Sequence, residues 1–218
     1  MRNTKLTLNL SLAAAFFLVP SAWAVPVFTT YEGTGVDAAA LTVVRDTFRT
    51  AIGGGNIAGA NGSFGGVRRE INWDGVPDGQ ADPNTLAGNF FNTTSPRGVV
   101  FTTPGTGFMV SANAGGSSPS LFGFPADFQS FSAQRLFTAV NSNITDVRFY
   151  LPGTTTAATT SAFGVVFTDV ETANQTMLQF FDSTDTLIYT RAVLATGNHE
   201  LSFLGATVTG GSISRVRI

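Results

Sequence analysis

Cysteine is absent from these 218 residues, lysine occurs only at position 5 and histidine only at position 199. Without cysteine there are no disulfides, no thiolate metal ligands and no thiol nucleophile. A single histidine cannot build a zinc site, which takes several His or Cys ligands. No Gly-x-Ser-x-Gly elbow is present either. The near-absence of lysine removes the phosphate-binding Gly-Lys-Ser/Thr loop, although Gly53–Gly66 is rich in glycine and asparagine. Charge of either sign is scarce, at 12% of residues. Arg68-Arg69, beside Glu70, is the one adjacent pair of cations, which excludes a nucleic-acid groove lined by clustered cations.

Long apolar runs are lacking too. Leu6–Pro20 is apolar but is broken by Thr7, Asn9 and Ser11, and falls short of the ~20 residues that span a bilayer. With Arg2 and Lys5 ahead of it and Ala22-Trp23-Ala24 behind it, it reads as a signal peptide over 1–24. Cleavage there leaves 194 residues and moves the formal charge from −2 to −4. The expected location is secreted or cell-surface, with no transmembrane segment in the mature chain.

What is present is phenylalanine, twenty residues of it, together with glycine, threonine, serine, asparagine and valine. Burial of large apolar side chains at ~1.5–3 kcal/mol each gives such a chain a core without covalent staples. Short β-prone runs recur every ten to fifteen residues. They include Val25–Tyr31, Val67–Trp73, Asn89–Asn92, Gly98–Thr103, Gly107–Ala112, Arg135–Val140, Ile144–Leu151, Ala162–Val170, Thr176–Asp182, Leu187–Ala195, Glu200–Val208 and Ser212–Ile218. Pro104-Gly105 predicts a hairpin between the fourth and fifth of these runs. Leu41, Val44, Phe48 and Ile52 set out one helix over about 37–52, with Asp37 as N-cap and Gly53-Gly54-Gly55 as its stop. The predicted fold is all-β: one antiparallel β-sandwich over 25–218, jelly-roll-like, with this N-terminal helix packed on it.

The segments INWDGVPD, FNTTSPRGVVFTTPGTGFMVSAN, FSAQRLFTAVNSNITDVRFYLPGTTTAATTSAFGVVFTDV, LQFFD and LSFLGATV with ISRVRI resemble a group of uncharacterised exported bacterial proteins of the PEP-CTERM-associated type. The resemblance covers nearly the whole mature chain and implies export, but no activity. The Pro-Glu-Pro sorting signal is not present in this sequence. Relatives continue beyond the RVRI-like strand, so a C-terminally truncated fragment is expected.

Chemistry-bearing residues concentrate in Ser63–Ala112. Asp74, Asp78 and Asp82, spaced by four in a Gly/Pro-rich loop, are candidate Ca²⁺ ligands, because Ca²⁺ takes six to eight oxygens in flexible geometry. The competing reading is that each aspartate caps a turn. Glu70 with a nearby aspartate is the one crowded acid pairing that could act on a glycosidic bond; otherwise it pairs with an arginine. Trp73 beside Phe90 and Phe91 is either a sugar-stacking surface or core. The expected function is an exported, non-catalytic binding or cell-surface/matrix module with Ca²⁺ as its candidate ion. Extracellular polysaccharide or an envelope component is the candidate partner, contacted through Trp73 and Glu70. The alternatives are a carbohydrate-active enzyme using Glu70, and a purely structural or adhesive domain.

Overall fold

The computed structural model describes residues 25–55 and 67–218; the expected signal peptide lies outside the described residues. The elements are β1 (Val27–Gly35), α1 (Thr42–Ile52), α2 (Phe90–Thr93), β2 (Val99–Thr102), β3 (Gly107–Val110), β4 (Phe137–Val140), β5 (Asp146–Phe149), β6 (Ala162–Thr168), β7 (Met177–Phe181), β8 (Leu187–Ala192), β9 (Leu201–Thr209) and β10 (Arg215–Arg217). Every pairing between these strands is antiparallel. One sheet runs β1-β9-β6, a second β2-β5-β10-β7-β8, and β3-β4 form a separate ribbon. Among the described residues this is the expected all-β sandwich with one long helix.

The two larger sheets close over a core drawn from alternate residues of each strand. Leu204, Ala206 and Val208 of β9 meet Val147, Leu178, Phe180 and Val216 of the five-stranded sheet in one buried cluster. Strand β9 is buried along nearly its whole length, because both of its faces are covered. The second cover is α1. Its Leu41, Val44, Phe48 and Ile52 stripe joins Tyr31, Leu201, Phe203, Ala162 and Val166 in a second cluster.

Glycine makes that contact close. A Cβ at Gly164 would lie 2.6 Å from Phe48 Cε1, and one at Gly33 would lie 3.2 Å from Val44 Cγ1. Gly164 and Gly205 face each other across β6 and β9, so Phe48 settles onto bare backbone. Asp37 Oδ1 accepts from Ala40 N at 2.9 Å and shapes the turn before the helix, which itself begins at Thr42 with Leu41 at its N-cap. At the far end Gly53 takes φ 105°, and its N–H returns to the Arg49 carbonyl. Arg68, 6% exposed, donates through Nη1 to the carbonyls of Arg49 (2.9 Å), Gly53 (2.9 Å) and Gly55 (2.6 Å). A buried cation thus closes the negative end of the helix.

Three sequence expectations are corrected. Val67–Trp73 is not a named strand: Arg68 is drawn under the end of α1, and Trp73–Gly75 is a single 3-10 turn. Asn89–Asn92 gives way to the short helix α2, because Phe90 and Phe91 are both buried. A strand would send these neighbours to opposite faces. The predicted hairpin does not form either. β2 pairs with β5, and β3 pairs with β4 and bridges to Leu86. Period-two alternation identifies a strand without naming its partner.

Candidate functional site

Glu70 follows Arg68 and faces the last turns of α1. Its carboxylate accepts from Arg49 Nε at 2.8 Å and Nη2 at 2.6 Å, and Arg68 Nε lies 2.9 Å from its Oε1. Arg49 also bonds Asp46 at 3.0 Å. Burial pulls the Arg49 guanidinium down, but the bonds to Glu70 and Asp46 outweigh it and hold it above its ordinary value. At Arg68 burial dominates, and its value is lowered despite Glu70. The Glu70 backbone carbonyl accepts from Arg97 Nε at 2.6 Å. Glu70 is therefore a strut between the helix end and the chain that passes beneath it.

Trp73 turns into the core. Its ring stacks on Phe137 with centroids 4.2 Å apart and 2° between planes, and meets Phe91 edge-on at 5.5 Å. Phe101 and Phe108 complete the cluster around Phe137. The indole is half-buried and packed against the main core, so its stacking face is already taken.

The three loop aspartates diverge in role. Asn72 caps the 3-10 turn at Trp73 by accepting from Asp74 N. Asp74 Oδ1 then accepts the backbone N–H groups of Gln134 (3.2 Å) and Arg135 (3.0 Å). Asp78 Oδ1 accepts from Asn113 Nδ2 at 3.0 Å and from Arg135 Nη2. Asp82 is fixed through its backbone, with its N–H donating to Val110 O at 2.8 Å. Arg135 joins these parts. It is 2% exposed, and its Nε donates to Asn113 Oδ1 at 2.7 Å. The fold brings Asp74 and Asp78 together on Arg135. Glu70 stands apart, on Arg49 and Arg68.

Arg135 and Asn113 were missed in the sequence. The available signal was a lone arginine opening the apolar run RLFTAV, with no neighbouring acid to pair it. A buried guanidinium needs a carboxylate from somewhere, and this one comes from a loop 57 residues away. Among the described residues no group of three or more His, Cys, Asp or Glu side chains is arranged to hold a metal ion, and no helix is long and apolar enough to cross a membrane.

A second polar region lies between β6 and β7, where Asp169, Val170, Glu171, Thr172, Gln175 and Thr176 line an open depression of about 240 Å³. Asp169 Oδ1 there accepts from His199 N at 3.4 Å. No family model, curated protein or solved structure matches this chain.

Proposed function

We propose that this protein is an exported, non-catalytic binding or cell-surface/matrix module of the PEP-CTERM-associated kind, with extracellular polysaccharide or an envelope component as its partner. The leader-like first 24 residues support export, and the arginine clamp on Glu70 supports a non-catalytic role. A general acid or nucleophile must reach the bond it cleaves. The Glu70 carboxylate is instead engaged by Arg49 on both of its oxygens, with Arg68 at one of them. At Asp78 the Arg135 guanidinium supplies the positive charge that Ca²⁺ would otherwise bring. A dication placed beside that guanidinium would meet its repulsion.

Two measurements test this reading. The mature protein is incubated with a polysaccharide panel; retention without release of reducing ends is expected. Turnover that disappears in Glu70→Gln, in a variant whose circular dichroism is unchanged, would reverse the non-catalytic assignment. Melting is then followed with millimolar CaCl₂ and with EDTA. No shift is expected, and a rise with Ca²⁺ that Asp78→Asn removes would restore the calcium site.

A further inference from the structure

The two sheets each end, on the same side of the sandwich, in a strand with one open edge. β1 ends the order β1-β9-β6, and β8 ends the order β2-β5-β10-β7-β8. Side chains fasten these two strands to each other. Phe28 stacks on Tyr189 at 4.4 Å, Thr30 Oγ1 and Tyr189 Oη share a hydrogen bond of 2.7 Å, and Arg191 Nε donates to Glu32 Oε2 at 2.8 Å. The two open edges therefore run side by side.

The hydrogen-bond phase fixes which backbone groups face outward. Val193 N donates to Thr176 O, and the register sets Leu178 opposite Arg191 and Gln179 opposite Thr190. In an antiparallel pair bonded and unbonded positions alternate. Arg191 and Tyr189 thus bond β7, while the N–H and C=O of Thr190 and Ala192 face away from the sheet. Phase on the other sheet follows from Val208 N, which donates to Ser161 O. It turns the backbone groups of Thr30 and Glu32 outward from β1. Among the described residues no backbone partner meets either edge.

Native sheets blunt such edges with lysine, proline or inward charges. Here no proline or lysine lies within β1 or β8. Their two charged side chains, Glu32 and Arg191, neutralise each other. The β-bulge lies at the Leu187 end, between Phe180 and Phe181, which leaves Tyr189–Ala192 regular. Val27 of β1 and Leu187 of β8 are exposed apolar residues, as are Val25 and Leu194 just outside the two strands.

We propose that the β1/β8 side is a self-association surface, on which a second copy of this chain docks about a two-fold axis and continues the sheet antiparallel, β8 against β8. A strand edge with no net charge is complementary to its own copy, which a charged edge is not. With Thr190 at the axis, its N–H and C=O exchange bonds with the same residue of the copy.

The absence of cysteine makes the test direct. Paired residues across such an axis lie with Cα atoms ~5.5 Å apart, within disulfide range. Thr190→Cys is expected to give a covalent dimer on mild oxidation, whereas Thr47→Cys, on the exposed face of α1, stays monomeric. By analytical ultracentrifugation the wild-type protein is expected to be a concentration-dependent dimer with no larger species. Thr190→Lys, which sets two like charges face to face, is expected to weaken the dimer at least tenfold without shifting the melting temperature of the dilute protein. A wild type that sediments as a monomer at high micromolar concentration overturns the proposal. So does an open series of larger species, or oxidation that leaves Thr190→Cys no more cross-linked than Thr47→Cys.

Discussion

The Phe48 ring lies against the backbone of Gly164, so close that a Cβ there would stand 2.6 Å from ring carbon Cε1. Gly164→Ala is therefore expected to push α1 off the sheet. The cost is that of overpacking, about 1–3 kcal/mol. Phe48→Ala should cost about 3–5 kcal/mol, as for other buried phenylalanines. The two are coupled, and in the Phe48→Ala background the Gly164→Ala penalty should shrink to what the 3.1 Å approach to Gly205 Cα still costs. Urea denaturation of the four proteins measures this, and full additivity would separate the glycine from the helix.

Glu70→Gln should destabilise by about 1–3 kcal/mol, because it removes a charged acceptor from two arginines, of which Arg68 is buried. Glu32→Gln makes a useful contrast. Its partner Arg191 is exposed, and exposed ion pairs contribute about 0–1 kcal/mol. Chemical denaturation that ranked the two equally would contradict the structural role of the Glu70 clamp.

Asp146 lies between two arginines of β10. Burial pushes its carboxyl up, but the bonds from Arg217 and Arg215 outweigh this and hold it below the ordinary range. A carboxyl depressed in the folded state contributes stability that is complete above its unfolded value near 3.9. That contribution is lost as pH falls from there towards the folded value. Melting should thus be insensitive to Asp146 titration between pH 5 and 7 (both ~1 unit or more above that value) and should drop below about pH 4. In Asp146→Asn the acid-side slope should flatten and neutral-pH stability should fall. An unchanged slope would assign acid sensitivity elsewhere.

Tyr189→Phe keeps the ring stacked on Phe28 and deletes the hydroxyl bond to Thr30. A loss of about 0.5–1.5 kcal/mol is expected, the net worth of one hydrogen bond. A double-mutant cycle with Thr30→Val measures it, and a coupling near zero would leave the Phe28–Tyr189 stack and the Glu32–Arg191 pair to hold the two edges together.

Strands β5 and β7 were legible because their core contacts follow period two: Val147, Leu178 and Phe180 are buried with half-exposed residues beside them. The α1 stripe was legible for the matching reason, since Leu41, Val44, Phe48 and Ile52 mark one helical face and the structure buries that face. Adjacent buried aromatics misled, because Phe90-Phe91 carries no period and only the helical turn hides both rings. The acids were legible in type and spacing but not in partner. Residue type and spacing pointed to an ion or to catalysis, while the partners that engage Glu70 and Asp78, namely Arg49 and Arg135, lie 21 and 57 residues away. Local spacing carries no information about such partners.

β10 enters its sheet between β5 and β7, strands that precede it in the chain. Its Arg215 reaches Asp146 across 69 residues and Asp185 across 30, while β1 meets β8 through Thr30 and Tyr189 across 159. Until residues 215–217 are available, the strip between Val147 and Phe180 has no occupant, and the five-stranded sheet is two unjoined pieces. Contacts this distant make folding slow and late, because the loops must close before the pairings repay them. The last-made strand is thus the keystone of the sheet, and the earlier strands stay pliable until it arrives.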